Sequence, residues 1–310
     1  MRGRIAARGR IAARGRIAAR GRIAARGRIA ARGRLRQRGG SVHDRANRAF
    51  PAPTRKGPAP MTAPAFDPAP FAARLIEAHR TGARAAIDMP PPVTRADALA
   101  VQAVVARAMG PVAGFKTGRK PDGEHMMAPI YASMVRPDGA AIPCAPTESI
   151  GIELEVGFRL TAPPPPLDAP DYAGALRAVL QPVVVIEIVD TRLAGPMAAL
   201  SMAQFADSQI NAGIVVGPDW PDWPEDGYTL MVARMQAGDQ VLVDGPVTPP
   251  GGDAFQSVLT LARAIREHCG GLRQGQIVIS GSLHPLTYVP AGTEVTGYVQ
   301  GLGAVTCTIG

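Results

Sequence analysis

Apolar residues recur at helical spacing in three segments of the chain, residues 71–79, 94–110 and 253–270. Thr94 is a good N-cap, and Asp97 three residues later completes an approximate capping box. A glycine follows the last apolar position of the second and third segments, which is where helices commonly end. These patterns predict three amphipathic helices, the third of them beginning at a cap formed by Asp253.

Strand patterns dominate from residue 114 onward. Residues 152–159 alternate between apolar and polar, which predicts a strand with one apolar face. The run 183–189 is apolar apart from one glutamate and predicts a strand buried on both faces. The remaining predicted strands are a hairpin of 229–235 with 240–243, followed by 277–280, 294–299 and 304–309. Together the elements predict an α+β fold with a strand-rich core and helices at its margin.

The first 38 residues are dominated by a six-residue repeat. GRIAAR occurs five times without error, and the degenerate copy GRLRQR follows. Six residues advance a helix by about 600°, so the repeated isoleucines spread over several faces and form no apolar stripe. Repeated glycine and like charges further disfavour a helix. We therefore expect residues 1–60 to be a disordered Arg-rich tail and linker, and residues 61–310 to hold the folded protein.

Three explanations of this tail follow from its composition. Error-free copies are typical of an expanded DNA repeat or of a start codon assigned too early, and under this favoured explanation the working protein begins at Met61. An Arg-rich segment can also be an arm that binds nucleic acid or a membrane surface. An Arg-rich, acid-poor N-terminus is also typical of a transit peptide.

The charge of the chain is divided between the tail and the body. The formal net charge is +9, but residues 1–60 hold 17 Arg, one Lys and a single acid, Asp44. The remaining residues hold 16 basic and 24 acidic groups, so the body carries a net charge of −8. Surfaces that bind nucleic acid concentrate Lys and Arg on the fold itself. We therefore do not expect the body to bind nucleic acid.

The three cysteines, Cys144, Cys269 and Cys307, lie far apart and include no CxxC pair. Neither a disulfide framework nor a zinc site is expected, and a reducing compartment, the cytoplasm, fits best. No uncharged apolar run reaches the roughly 18 residues that a membrane span needs. Walker, GxSxG and HExxH motifs are absent from the sequence.

Three glutamates are the first candidates for chemistry. Glu153 and Glu155 lie two residues apart on a predicted strand, so their carboxylates share one face at a distance of roughly 7 Å, although a solvated strand face explains the pair as well. Glu187 lies inside an apolar run and needs a partner, either a salt bridge to Arg159 or Arg192 or a ligand. Three carboxylates without His or Cys suit Mg²⁺ or Mn²⁺ rather than zinc.

Lys116 in GFKTG and His125 in GEHMMAP are the next candidates. A partly desolvated Lys116 would have a pKa lowered toward the range of a general base, but a surface lysine beside a turn fits the same pattern. His125 is either a loop histidine or an acid/base group. His284, which precedes a proline, is expected to be structural.

Taken in order, five segments resemble one family: GFKTG, ELE, IEIVDTR, FADSQINAGIVVG and SGSLHPLTYVPAGTEVTGYVQGLGAVTCTI. The family is that of the 2-oxopent-4-enoate hydratases, with 2-oxohept-4-ene-1,7-dioate hydratase and 4-oxalocrotonate decarboxylase as relatives, within the fumarylacetoacetate hydrolase superfamily. The resemblance covers residues 71–309 and leaves out the tail. It implies a mixed β-roll of the fumarylacetoacetate hydrolase C-terminal type with peripheral helices, and a hydratase-like catalytic domain over residues 61–310.

The resemblance also implies a site. It places Mg²⁺ or Mn²⁺ on the three glutamates, Glu153, Glu155 and Glu187, and makes Lys116 and Asp207 catalytic residues. We add His125 as a third catalytic candidate.

The chain departs from the family at two places. The stretch APIYASM after the lysine lacks the acidic residue that the hydratases often carry. Ser208 stands where the family's ADN motif has its asparagine, although Asn211 lies nearby. Water addition could therefore use another group, or the substrate or reaction could differ.

The implied activity is that of a metal-dependent hydro-lyase. It would add water to a 2-hydroxy-2,4-dienoate, through its 2-oxo-enoate form, and yield a 4-hydroxy-2-oxo acid in the meta-cleavage catabolism of aromatic compounds. The alternatives are decarboxylation of a vinylogous 2-oxo diacid of the 4-oxalocrotonate type, C–C hydrolysis of an acylpyruvate or fumarylacetoacetate with His125 as base, and nucleic-acid binding through the tail. The expected partners are the small dienoic acid substrate and further copies of the chain in a homo-oligomer, without nucleic acid or membrane.

Overall fold

A computed structural model describes residues 66–119, 125–220, 223 and 227–310. The predicted tail, residues 1–60, and the predicted start of the working protein at Met61 lie outside the described residues. The division of the chain near residue 60 therefore stays a prediction.

A protein that begins at Met61 is expected to keep the melting temperature and the turnover rate of the full chain. The reason is that the repeat has a period incompatible with a packed helix and carries charge of one sign. Thermal unfolding and steady-state kinetics of the two proteins test this expectation, and a large loss of either quantity on truncation would contradict it. A salt-dependent shift with DNA that disappears on truncation would instead support the nucleic-acid arm.

The helices begin and end largely where the capping patterns predict. Within the described residues the α-helices are α1 (Pro68–Thr81), α2 (Arg95–Met109), α3 (Tyr172–Ala178), α4 (Ser201–Ala206) and α5 (Ala254–Ala264). The capping box before α2 is confirmed, because Asp97 N donates to Thr94 Oγ1 at 3.1 Å and Thr94 N donates to the Asp97 carboxylate at 2.9 Å. The Asp253 cap of α5 is confirmed as well. α5 ends at Ala264, before the predicted Gly270. Arg266, two residues after the end of the helix, has φ of 47°.

The strands are β1 (Val112–Arg119), β2 (His125–Tyr131), β3 (Val135–Pro137), β4 (Ala140–Ile142), β5 (Ser149–Leu160), β6 (Leu180–Val189), β7 (Asn211–Asp219), β8 (Met231–Ala237), β9 (Gln240–Val247), β10 (Ile277–Ser282), β11 (Thr287–Pro290), β12 (Glu294–Val299) and β13 (Gly303–Ile309). One sheet has the order β2-β1-β10-β5-β6-β7-β3, with β11 paired to β5, and the second has the order β4-β13-β12-β8-β9. The predicted hairpin is the antiparallel pair β8 and β9. Mixed sheets with marginal helices confirm the α+β class.

The larger sheet places two different clusters on its two faces. One face of β5 and β6 packs against the smaller sheet and α5 in the main core, which includes Leu154, Phe158 and Ile186. The opposite face carries a separate apolar cluster, because side chains alternate between the faces of a strand. That cluster consists of Ile130, Val183, Val185, Ile214, Val216, Ile277 and Ile279.

The sheet bends around this second cluster. β2 contacts β7, although five steps of the strand order separate them. Such an approach requires the sheet to curl, and the curled face is the one that carries the glutamates. Residues of the helices α1, α2 and α4 form a third apolar cluster together with Tyr131 and Leu193.

Candidate metal centre

Strand register brings the three predicted ligands together. Glu153 on β5 lies directly opposite Glu187 on β6, and Glu155 follows two residues along the same strand. Residues directly opposite each other and residues two apart on one strand share a face of the sheet. One carboxylate oxygen from each residue lies within 4.8 Å of those of the other two. The solvated-face explanation of Glu153 and Glu155 is therefore wrong, since Glu155 is fully buried and the Glu153 side chain is only 16% exposed. Glu187 is fully buried as well.

Each of the two buried glutamates has one oxygen with a donor and one without. Gly281 N donates to Glu155 Oε2 at 2.6 Å, while Lys116 Nζ and Asn211 Nδ2 both donate to Glu187 Oε1 at 2.8 Å. Glu155 Oε1 and Glu187 Oε2 are buried and receive no hydrogen bond from the described residues. A buried oxygen without a partner is costly. A cation between the carboxylates would remove that cost.

A bulge in β10 supplies the donor to Glu155. The pairing of β10 with β5 shifts between Ile279 and Ser282, which frees the Gly281 N–H from the sheet ladder. Gly281 has φ of 114°, a conformation that only glycine adopts readily. A Cβ at this position would also lie 3.1 Å from the Pro250 ring. The glycine is thus required for the bulge that holds Glu155.

Lys116 lies within the cluster. Its side chain is only 10% exposed, so the surface-lysine alternative is wrong. Besides the contact with Glu187, Nζ lies 3.8 Å from Glu153 Oε2 and 3.5 Å from the carbonyl oxygen of Gln209. The lysine reaches these groups from β1, with β10 lying between its strand and β5.

The ion-pair partner that we predicted for Glu187 is also corrected. Arg159 pairs with Asp219 at 2.9 Å, and Arg192 pairs with Asp207 at 2.6 Å. Glu187 pairs with Lys116, which is 71 residues away in sequence.

Burial and like charge perturb the acids of the cluster. Burial, followed by the charge of Glu187, raises the pKa of Glu153 to about 7. The same two causes raise the pKa of Glu155 well above its ordinary value. Both shifts reflect carboxylates that repel one another in a dry site, and a dication would oppose them.

The expected lowering of the Lys116 pKa is wrong for the site without a cation. Burial acts to lower it, but the carboxylates of Glu187, Glu153 and Glu155 outweigh burial and raise the pKa above its ordinary value. Lys116 is therefore a protonated partner of the glutamates. When all three carboxylates are ionised, they exceed the charge of the one ammonium, and this all-oxygen donor set suits a hard divalent cation.

Asp207 lies at the C-terminal end of α4. Its Oδ1 accepts from Arg192 Nε at 2.6 Å, and its Oδ2 accepts from Thr191 Oγ1 and from Arg192 N, each at 2.9 Å. Both oxygens are thus engaged in holding the chain around residues 191 and 192. The catalytic role of Asp207 stays a prediction, and its contacts favour a positioning role.

Arg192→Met is expected to lower the free energy of unfolding by about 3–5 kcal/mol, because it leaves the Asp207 carboxylate buried without its counter-charge. Urea unfolding measures the loss. The matched control is Arg234→Met, which breaks a pair whose side chains are 65% and 50% exposed and should cost at most about 1 kcal/mol. Equal losses in the two variants would contradict the structural importance of the Arg192 pair.

His125 lies on the other side of the sheet from the glutamates. Lys116 and Thr117 are consecutive on β1 and so project to opposite faces, and His125 Nε2 lies 3.0 Å from Thr117 Oγ1. His125 also lines a cavity of about 210 Å³ together with α5 residues such as Gln256 and Thr260. Its catalytic role stays a prediction that this position does not favour.

The structural role predicted for His284 agrees with its contacts. Its Nε2 accepts from Leu154 N at 3.1 Å, which leaves Nδ1 to donate to Pro285 O at 2.7 Å.

Sequence reasoning missed three groups at the site: Gly281, Gln209 and the amide of Asn211. Asn211 was noted only as a residue near the altered motif. A glycine that follows a predicted strand was a usable signal for Gly281. Nothing in the sequence indicated Gln209, because its place depends on an unusual backbone turn.

Comparisons with known proteins support the resemblance that the motifs indicated. No family model matches the chain. A 2-keto-4-pentenoate hydratase of Paraburkholderia phymatum is 25% identical over 187 residues, which are 59% of this chain and 69% of that protein. A 2-keto-4-pentenoate hydratase of Burkholderia vietnamiensis is 26% identical over 183 residues, which are 58% of this chain and 68% of that protein.

The fold has a solved counterpart. The 4-oxalocrotonate decarboxylase from Pseudomonas putida G7, complexed with magnesium and adipate, superposes with a TM-score of 0.63 at 21% identity, over 79% of this chain and 99% of that one.

The chain is thus homologous to hydro-lyase enzymes. The predicted resemblance to the 2-oxopent-4-enoate hydratases is confirmed, and so is the prediction of an enzyme. Among the described helices, none is long and apolar enough to cross a membrane.

Proposed function

We propose that the chain is a divalent-metal-dependent hydratase of the 2-oxopent-4-enoate type, with Glu153, Glu155 and Glu187 as metal ligands. The observation that carries the proposal is the convergence of three carboxylates, two of which have a buried oxygen without a donor, around a buried lysine. The names of the relatives supply the reaction class. The substrate is a 2-hydroxy-2,4-dienoate or its 2-oxo-enoate tautomer, and the product is a 4-hydroxy-2-oxo acid.

The cation is Mg²⁺ or Mn²⁺, in keeping with the magnesium of the solved structural neighbour. A bound cation would supply a Lewis acid for the carboxylate and the 2-oxo oxygen of the substrate. The chain's own contribution is to fix the ligands through β5 and β6 and to keep water away by burial.

Lys116 is the group placed to move a proton. Its Nζ hydrogen-bonds the ligand Glu187 and lies on the face that a chelated substrate would share. The apolar cluster on that same face, which includes Val185 and Ile279, is buried and makes the surroundings of the carboxylates apolar. We expect Lys116 to shuttle the proton during tautomerisation of the dienol.

An absorbance assay tests the proposed function. A panel of 2-hydroxy-2,4-dienoates, a vinylogous 2-oxo diacid and acylpyruvates is incubated with the full chain, with and without Mg²⁺, and products are identified by NMR. Mg²⁺-dependent loss of dienol absorbance with formation of a 4-hydroxy-2-oxo acid is the expected result. Absence of turnover for every dienol would overturn the proposal.

Decarboxylation is the second candidate. Residues 128–134, the APIYASM stretch, contain no acidic side chain to activate water, and loss of CO₂ requires no added water. Carbon dioxide release from the diacid in the same panel would identify this activity. C–C hydrolysis is disfavoured, since the histidine proposed as its base lies on the other face of the sheet.

A further inference from the structure

The chain that follows α4 makes a left-handed turn beside the glutamates. Ser208, Gln209 and Ile210 have φ of 49°, 52° and 55°. Three consecutive non-glycine residues in this region are rare, and each costs folding free energy. A β-branched residue such as Ile210 is the least suited of all. Such a turn persists only where its surroundings hold it in place.

Arg192 holds both ends of the turn. Its Nη2 donates to Asp207 O at 2.7 Å, and its Nη1 donates to Asn211 O at 2.6 Å. Within the turn, Ile210 N donates to Asp207 O at 2.8 Å. The guanidinium and the Asp207 carboxylate thus fix the position of residues 208–210.

The turn reaches the metal centre through the side chain of Asn211 and the backbone of Gln209. Asn211 Nδ2 donates to Glu187, and the backbone carbonyl of Gln209 lies 3.5 Å from Lys116 Nζ. Gln209 Oε1 and Asn211 Oδ1 are sealed from solvent and accept no hydrogen bond from the described residues. Asn211 has a positioning role through the bond from its Nδ2 to Glu187, although its Oδ1 is unpaired like Gln209 Oε1.

An unpaired buried acceptor calls for a donor from outside the protein. Once the dienol has become the 2-oxo-enoate, to which water adds, the substrate's carboxylate, 2-oxo group and alkene carbons offer no hydrogen. Water and the hydroxyl of a 4-hydroxy-2-oxo acid are donors. The chain also lacks the acidic residue after Lys116 that could have held the water.

We propose that Gln209 orients the water that adds to the substrate. The inference rests on the proposed function and deepens it. Gln209 Oε1 accepts a hydrogen bond from the incoming water and then from the hydroxyl of the product. A glutamine that orients water without exchanging a proton is a known catalytic device.

The step balances without an added reactant. The water oxygen forms a bond to the distal carbon of the 2-oxo-enoate double bond, and the electron pair of that bond moves to the neighbouring carbon. That carbon takes up one proton, and the water gives one up. Gln209 itself neither gains nor loses a proton, so its effect is confined to water addition.

Two variants test the inference in the Mg²⁺-loaded full chain. Gln209→Met removes the acceptor but keeps the length, and Gln209→Asn draws the amide back by one methylene in a residue that tolerates the left-handed region. Both are expected to lower the rate of dienol hydration about tenfold, the effect of one lost hydrogen bond in the transition state. Gln209→Asn should melt no lower than the wild type.

A second measurement separates a role of Gln209 in orienting water from a purely structural role. It is hydrogen exchange at C3 of 2-oxopentanoate in deuterated water, a reaction in which no water is added to the substrate. Exchange and Mn²⁺ affinity are expected to stay within about twofold of the wild type in both variants. The matched control is Gln204→Met on α4, which loses the bond from Gln204 Nε2 to Ala198 O at 2.7 Å but should hydrate normally.

The outcomes separate the inference from the proposed function. Normal hydration in both Gln209 variants would overturn the inference alone. An equal fall in exchange and hydration would make Gln209 a structural residue and overturn the inference as well. A wild-type chain that exchanges C3 but hydrates no dienol would overturn the proposed function and the inference with it.

Discussion

Lys116→Met is expected to lower kcat by roughly 10²–10⁴-fold, the usual contribution of one positioned acid/base group. The methionine keeps most of the apolar stem but removes the nitrogen that would carry the proton. Mg²⁺ affinity should be retained or should rise, because the ammonium no longer competes for Glu187 Oε1, to which it is bonded at 2.8 Å. Steady-state kinetics and calorimetric titration with Mg²⁺ measure the two quantities.

Lys116→Arg is the informative companion variant. An arginine stays protonated at any working pH, so it should not restore kcat if the lysine shuttles a proton. If Lys116→Arg restores kcat and the defect of Lys116→Met lies mainly in KM, Lys116 anchors the substrate carboxylate instead. A methionine variant with near-wild-type kcat and KM would remove Lys116 from the mechanism.

Glu153→Ala, Glu155→Ala and Glu187→Ala are each expected to weaken Mg²⁺ binding by more than roughly 100-fold, since losing even an outer-shell partner typically costs 10–100-fold. At the third position, Glu187→Gln should be the mildest change, because it keeps the volume and one oxygen ligand. Calorimetry and kcat at saturating substrate measure the effects. Wild-type affinity in all three alanine variants would end the idea of a metal site.

Melting temperatures separate loss of the metal from loss of the fold. Glu155→Gln removes one of the mutually repelling carboxylates, so the protein without metal should melt at the wild-type temperature or above it. The variant should also lose the rise in melting temperature that Mg²⁺ produces by binding the native state. The matched control is Glu148→Ala, an exposed glutamate just before β5, which should leave both melting temperatures unchanged.

Local pattern predicted many of the elements and singled out the three glutamates that the structure brings together. The capping box at Thr94 and Asp97 depends on groups three residues apart, so it could be identified from the sequence and is present in the structure. The two-residue spacing of Glu153 and Glu155 likewise requires a shared face once the strand is correctly predicted. A single polar residue in the run 183–189 identified Glu187 as a residue in need of a partner.

The partners depended on contacts between distant parts of the chain. Whether Glu187 meets Arg159, Arg192 or Lys116 depends on strand order and on the curl of the sheet, because Lys116 lies three strands away from Glu187 in the strand order. The side of the sheet on which His125 lies likewise depends on its register with β1. No local pattern specifies either of these.

The sequence by itself thus indicated the α+β class, the three glutamates as candidate ligands and the candidate lysine, because period-two alternation and an acid in an apolar run are local properties. Only the tertiary structure decided that the lysine is a buried partner of the carboxylates and that Asp207 is bound by Arg192. The same is true of Gln209, whose backbone carbonyl a left-handed turn brings to 3.5 Å from Lys116 Nζ. The physical reason is that pairing energies act between residues brought together by strand order and register, while the sequence pattern describes only each strand alone.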